Sequence, residues 1–143
     1  MSYAIVTKKI WNEKNFRNLK KNIKVFKKLN KIKINKLKPK IIFFIHWSEL
    51  IPEDIYTNYI CIQFHASDLP KGRGGSPIQN QILKKILKTK ITAFRVSRKL
   101  DAGPICMKKK FELKGNAKKI YENMEALCLN MINKLIKKKN IKF

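Results

Sequence analysis

Ile60-Cys61-Ile62-Gln63-Phe64-His65-Ala66-Ser67-Asp68-Leu69-Pro70-Lys71-Gly72-Arg73-Gly74-Gly75-Ser76-Pro77 opens as an apolar run of strand length, stops at a histidine and passes into polar, glycine-rich sequence. That pattern reads as a strand delivering a side chain into a loop. The strand fixes the backbone of His65 while the loop leaves room for a ligand, and in open α/β sheets ligands bind beyond the carboxyl ends of the strands. Gln63 and His65 stand two apart, so alternation puts both on one strand face. A histidine after an apolar run is more often a packed side chain than a catalyst, so the weight has to come from its surroundings.

Upstream, Ile41-Ile42-Phe43-Phe44-Ile45 is a continuous apolar run, the mark of a central strand covered by helices on both faces. Tyr3 to Val6 reads as a first buried strand. Asn12 is a candidate N-cap for a helix whose inner face carries Phe16, Leu19, Ile23 and Phe26, and Ile32-Lys33-Ile34 reads as a brief second strand. His46 to Leu50 is a loop after the central strand, with Pro52 opening a short helix. Downstream, Ser76 caps a helix from Pro77 to about Leu87 with Ile78, Ile82, Leu83 and Ile86 inward. Ile91 to Val96 is a strand, Leu100 to Pro104 a turn, and Ile105 to Leu113 a strand near an edge, where Lys108-Lys109-Lys110 discourage further pairing. A last helix starts at Ala117 behind Asn116 and puts Ile120, Tyr121, Met124, Leu127, Cys128, Met131 and Leu135 on one face. The alternation predicts an α/β, Rossmann-like fold built on a mostly parallel, helix-flanked sheet.

With 143 residues, the expectation is a single domain spanning 1–143 with a real core, and 44% hydrophobic residues suit it. No run approaches the roughly 20 apolar residues that span a bilayer, and Met1 to Thr7 reads as a strand, not a secretory signal. A cytoplasmic protein with no membrane partner is expected. Cys61, Cys106 and Cys128 form no CxxC or His/Cys cluster, so neither a disulfide framework nor a metal site is expected. The net charge of +25 is spread through nearly every segment. Its field attracts anions in general, nucleic acids and phosphorylated or carboxylated small molecules alike, and so does not choose among them.

His65-x-Ser67-x-Leu69-Pro70, then Arg73-Gly74-Gly75-Ser76-Pro77-Ile78, and later Leu100-Asp101-Ala102-Gly103-Pro104-Ile105 resemble the folate-dependent formyltransferase family, which includes glycinamide ribonucleotide, methionyl-tRNA and sugar-nucleotide N-formyltransferases. The likeness runs from about Pro39 to Gly115, and its N-terminal half is abbreviated against the family pattern. The resemblance implies a catalytic set of His65, Asp101 and the residue at Gln63, where the family carries Asn. It further implies 10-formyltetrahydrofolate as formyl donor, with the loop of Trp47, Ser48, Leu50 and Ile51 and the residues Ser97 and Leu100 holding the pterin. Ser67, Arg73, Gly74, Gly75 and Ser76 would face the acceptor, Arg73 with the amides of the helix start meeting an anionic group.

Formyl transfer to an amine develops negative charge on the formyl oxygen, so the site needs donors aimed there and a route for the amine's proton. His65 supplies a donor, Asp101 a partner for it, and no metal is required. Gln63 has the donor set of Asn on an arm one methylene longer. If that amide overshoots, Gln63→Asn raises the rate; slow, repositioned and inactive homologues all fit. The leading expectation is N-formyl transfer to a small primary amine, an amino sugar nucleotide first. A methionyl-tRNA acceptor ranks second because the sequence ends after one long helix, and a non-catalytic, basic nucleic-acid-binding protein ranks third.

Overall fold

The computed structural model describes residues Met1 to Phe143. Six strands form one sheet of order β2-β1-β3-β4-β5-β6: β1 Tyr3–Thr7, β2 Ile23–Phe26, β3 Ile41–Ile45, β4 Ile60–His65, β5 Lys88–Arg95 and β6 Ile105–Glu112. The first four run parallel, while β5 and β6 are antiparallel to their neighbours. The helices are α1 Lys31–Leu37, α2 Glu53–Asn58, α3 Pro77–Leu83 and α4 Ala117–Lys137. None is long and apolar enough to cross a membrane.

Every residue of β1 and β3 is buried, as strands covered on both faces must be. Alternation divides their side chains between two cores. Ile5, Phe43, Ile45 and Ile62 pack with Ile120, Cys128, Met131 and Leu135 of α4, whereas Val6, Ile42, Phe44 and Cys61 meet Ile34 of α1 and Ile55 of α2. The long helix starts where Asn116 accepts from the Lys119 amide, and it ends in lysines, which suit the negative pole of its dipole. Cys61 and Cys128 are buried in the two cores and Cys106 is half-buried on β6. Burial pushes the Cys61 thiol up to about 12 and Cys106 to about 11, and raises Cys128 as well, with Glu125 adding to it.

Three stretches differ from the sequence expectation. Asn12 does cap, accepting from Lys14, but only a 3-10 turn follows over Glu13–Phe16, and Ile23–Phe26 is the edge strand β2. Ile32-Lys33-Ile34 lies in α1 rather than in a strand: Asn30 accepts from the Lys33 amide and starts a helix that buries Ile34. Helix α3 stops at Leu83. The chain turns at Lys85, whose φ is 57°, so Ile78 alone is buried while Leu83 and Leu87 are 81% and 62% exposed.

One charged side chain has no exposed surface at all. Glu125 of α4 accepts from the Trp11 amide at 2.9 Å, the Asn12 amide at 3.0 Å and the Asn15 side-chain amide at 3.0 Å. Glu125→Ala strands these donors and releases the loop after β1. Urea denaturation should show a loss on the order of 3 kcal/mol, against less than about 0.5 kcal/mol for the exposed neighbour Ala126→Ser.

Candidate active site

A cleft of about 380 Å³ opens beyond the carboxyl ends of β3 and β4. His65, the last residue of β4, is buried and projects into it. Its Nε2 lies 2.6 Å from the Gly72 carbonyl, so Nε2 carries the proton and donates, and its Nδ1 is 3.8 Å from Asp101 Oδ2. The Asp101 turn is held against β5 by the Arg95 amide donating to the Pro104 carbonyl and by Gly103, where a Cβ would sit 1.7 Å from the Arg95 oxygen. No other residue fits there. Asp101 itself has φ 49°, left-handed and non-glycine, and its Oδ2 accepts from the Gly74 amide at 2.9 Å.

The glycine-rich loop is thereby tied to both side chains, through Gly72 to His65 and through Gly74 to Asp101. Gly72 and Gly74 have φ 72° and 96°, which glycine adopts at no steric cost. Ser67 lies beneath the loop, its hydroxyl donating to the Lys71 carbonyl at 2.7 Å. Asp68 fastens the loop to the antiparallel strands through ion pairs with Lys108 at 2.6 Å and Lys90 at 3.2 Å, hydrogen bonds that hold its carboxyl below the usual range. Lys108 is therefore engaged in the fold as well as standing on the edge strand.

Gln63 lines the cleft with its side-chain amide donating to the Trp47 carbonyl at 3.1 Å. The extra methylene reaches across from β4 to the loop after β3, which leaves the second N–H of the amide free. Trp47, Ser48, Leu100, Gly74, Gly75 and Ser76 also line the cleft. Leu50, Ile51, Ser67, Ser97 and Arg73 do not, the Ser67 hydroxyl being spent on the Lys71 and Gly72 carbonyls. Leu50 is 81% exposed, Ile51 is buried in the core under α2, and the Ser97 hydroxyl turns to the Lys99 carbonyl. Arg73 opens instead onto a neighbouring groove with Lys71, Lys84, Lys88, Lys90 and Lys110.

Motif reading did not reach Lys9, Trp11 and Tyr121, which make the opposite flank. Trp11 and Tyr121 stack with centroids 4.6 Å apart and planes 9° from parallel, and Lys9 Nζ sits 3.8 Å from the Trp11 centroid. The signal available in the sequence was an acid, Glu125, among the apolar positions of α4.

A profile of the formyl transferase family matches residues 3–129. The chain belongs to that family. A methionyl-tRNA formyltransferase of Wolbachia pipientis is 32% identical over 108 residues, covering 73% of this chain and 36% of that protein. A second, from Campylobacter fetus, is 43% identical over 84 residues, or 59% of this chain and 27% of its own length. Among solved structures, a methionyl-tRNA formyltransferase from Clostridium thermocellum superposes with a TM-score of 0.90 at 38% identity, covering 99% of this chain and 66% of that one. The chain thus spans about a third of the length of the curated relatives it matches.

Burial lowers the His46 imidazole from 6.5 to about 4, although Glu125 Oε2 stands 3.8 Å away and Tyr121 faces it edge-on. Desolvation outweighs the nearby carboxylate, whose oxygens already accept N–H bonds. Protonation therefore favours the unfolded chain: the contribution of His46 is complete above about pH 6.5 and is lost as pH falls towards 4. Between pH 7 and 4, denaturation should show the wild type losing about 3 kcal/mol more than His46→Gln.

Proposed function

We propose that this chain carries the reaction centre of a folate-dependent N-formyltransferase, moving a formyl group from 10-formyltetrahydrofolate to a primary amine. The supporting observation is the meeting of His65, Asp101 and Gln63 in one cleft at the strand ends, in a member of the formyl transferase family. The cleft suits a flat, amide-bearing ring. Trp47 and Leu100 border it, and the Trp47 indole N–H is buried without a partner. When bound, 10-formyltetrahydrofolate supplies a formyl carbon open to attack by the amine, its oxygen gaining negative charge as the new C–N bond forms.

His65 and the second N–H of Gln63 are the donors for that oxygen. Gly72, which holds the His65 Nε2 proton, must share or release it. Asp101, whose Oδ2 stands 3.8 Å from Nδ1 and makes no hydrogen bond to it, takes up the proton that the amine gives off and passes it to the departing folate nitrogen as the old C–N bond breaks, and Gly74 holds the carboxylate in place. The Trp47 carbonyl fixes the carboxamide of Gln63, so the longer arm is anchored rather than overshooting. That anchor changes the expected sign of Gln63→Asn.

For the acceptor, two classes are open. An amino sugar nucleotide is favoured by the cleft itself, whose lining has Lys9 as its one Lys or Arg against Glu49 and Asp101. The names of the relatives favour methionyl-tRNA and lift it from the second rank given by sequence reading. The basic groove beside Arg73 points the same way.

The test is formyl transfer from 10-formyltetrahydrofolate to amino sugar nucleotides and to methionyl-tRNA, assayed side by side. His65→Ala should lower kcat/KM by about 10³-fold or more with the folate Kd within about threefold of wild type. Undiminished turnover removes His65 from its role. Gln63→Asn, shortened away from Trp47, should lose about 10- to 100-fold in kcat. A gain in rate would show that the Trp47 bond is not part of the reactive arrangement.

A further inference from the structure

We infer that the flank of the cleft formed by His46, Trp11 and Tyr121 is a recognition subsite for a neutral, hydroxyl-bearing ring of the acceptor, in which His46 takes a ring hydroxyl. The inference rests on the formyl-transfer reading for the reaction but on separate observations for the subsite.

His46 follows the last residue of β3 with φ 50°, in the left-handed region, and it lines the cleft. Its side chain is 7% exposed, and neither ring nitrogen has a hydrogen-bond partner. A buried polar group without a partner is costly to keep and asks for an explanation, which a missing ligand group supplies. The protein offers no alternative. Glu125 Oε2, at 3.8 Å, is beyond hydrogen-bond range and already accepts from the Trp11 amide. The Tyr121 hydroxyl accepts from Gln79, and its ring meets His46 edge-on at 5.7 Å.

The chemistry of the partner follows from the imidazole. With its pKa pushed to about 4 by burial, His46 is neutral at pH 7 and presents one donor and one acceptor. A hydroxyl can pair with either nitrogen, as donor to one or acceptor from the other. A phosphate matches only the donor, an ammonium only the acceptor, and the aliphatic side chain of methionine neither. The stacked Trp11–Tyr121 pair supplies a broad apolar edge beside it, the usual composition of a small-molecule site with few polar groups fixing orientation. Lys9 at the rim carries the only positive side chain of Lys or Arg type in the lining, enough for one phosphate outside the ring and not for a polyanion within. This arrangement favours a hydroxyl-bearing ring over the methionine side chain at this flank.

The probe is a dTDP-linked 4-amino-4,6-dideoxyhexose, titrated by calorimetry into the full chain without folate, with dTDP alone as reference. His46→Phe keeps a ring and removes both nitrogens, whereas His46→Gln keeps a donor and an acceptor. His46→Phe should weaken sugar-nucleotide binding by about 30- to 100-fold and His46→Gln by less than about fivefold, with dTDP affinity unchanged in both. Trp11→Ala, on the half-buried rim, is the second variant and should weaken the sugar nucleotide by about tenfold or more. Equal affinity of wild type and His46→Phe for the aminated sugar nucleotide overturns the subsite. So does a wild type that formylates methionyl-tRNA, unaffected by His46→Phe, while binding no amino sugar. Sugar binding that depends on His46 supports the subsite even where no amine is formylated, and in that case the proposed reaction alone falls.

Discussion

A carboxylate sealed from water survives only if donors replace the water it has lost, and Glu125 obtains three N–H groups from the stretch Trp11 to Asn15. Those donors lie at least 110 residues away along the chain. Helix α4 and the loop after β1 must therefore arrive together or not at all. The position of Trp11 follows, then its stack on Tyr121, then the flank of the cleft. A buried charge that lies outside the cleft thus decides the shape of its flank.

The second constraint is the antiparallel addition to a parallel sheet. Strands β1 to β4 all end on the same side, where the loops after β3 and β4 leave the cleft between them. Strand β5 runs the other way, from Thr92 opposite His65 to Arg95 opposite Ile62, and the turn that follows doubles back to set Asp101 beside His65. The high net charge has little part in this. The positive side chains are gathered on the groove beside Arg73 and over the exterior, and the cleft is nearly free of them.

Strands β3 to β6 and helix α4 were legible because their signals are local: unbroken apolar runs, a turn between two alternating segments, and an Asn cap ahead of a long amphipathic face. The interval from Phe16 to Leu37 was not. Phe16, Leu19, Ile23 and Phe26 keep helical spacing by coincidence across a turn and a strand, and Ile32-Lys33-Ile34 mimics strand alternation inside a helix of two turns. Short runs fit either period, and the deciding clue was Asn30, a cap that went unread. At the site, His65, Asp101 and the glycine-rich loop could be named from motif wording. Trp11 and Tyr121 could not, since their meeting is set by Glu125 and by no pattern in either segment. Leu50 and Ile51 illustrate the converse: a contiguous loop stretch sends one side chain to solvent and the next to the core.

Cys61 lies in the core under α1 and α2, whereas Cys128, on the inner face of α4, and Cys106, on the edge strand β6, belong to the core on the opposite face of the sheet. Only the thiolate is nucleophilic, and burial keeps all three protonated far above neutral pH. Burial therefore slows alkylation of the native protein, most strongly at Cys61 and Cys128. Cys61 and Cys128 acquire reactivity only when the core on their own side opens, so the order of their labelling under mild denaturant maps which face of the sheet loosens first, a built-in pair of local opening sensors that needs no introduced label.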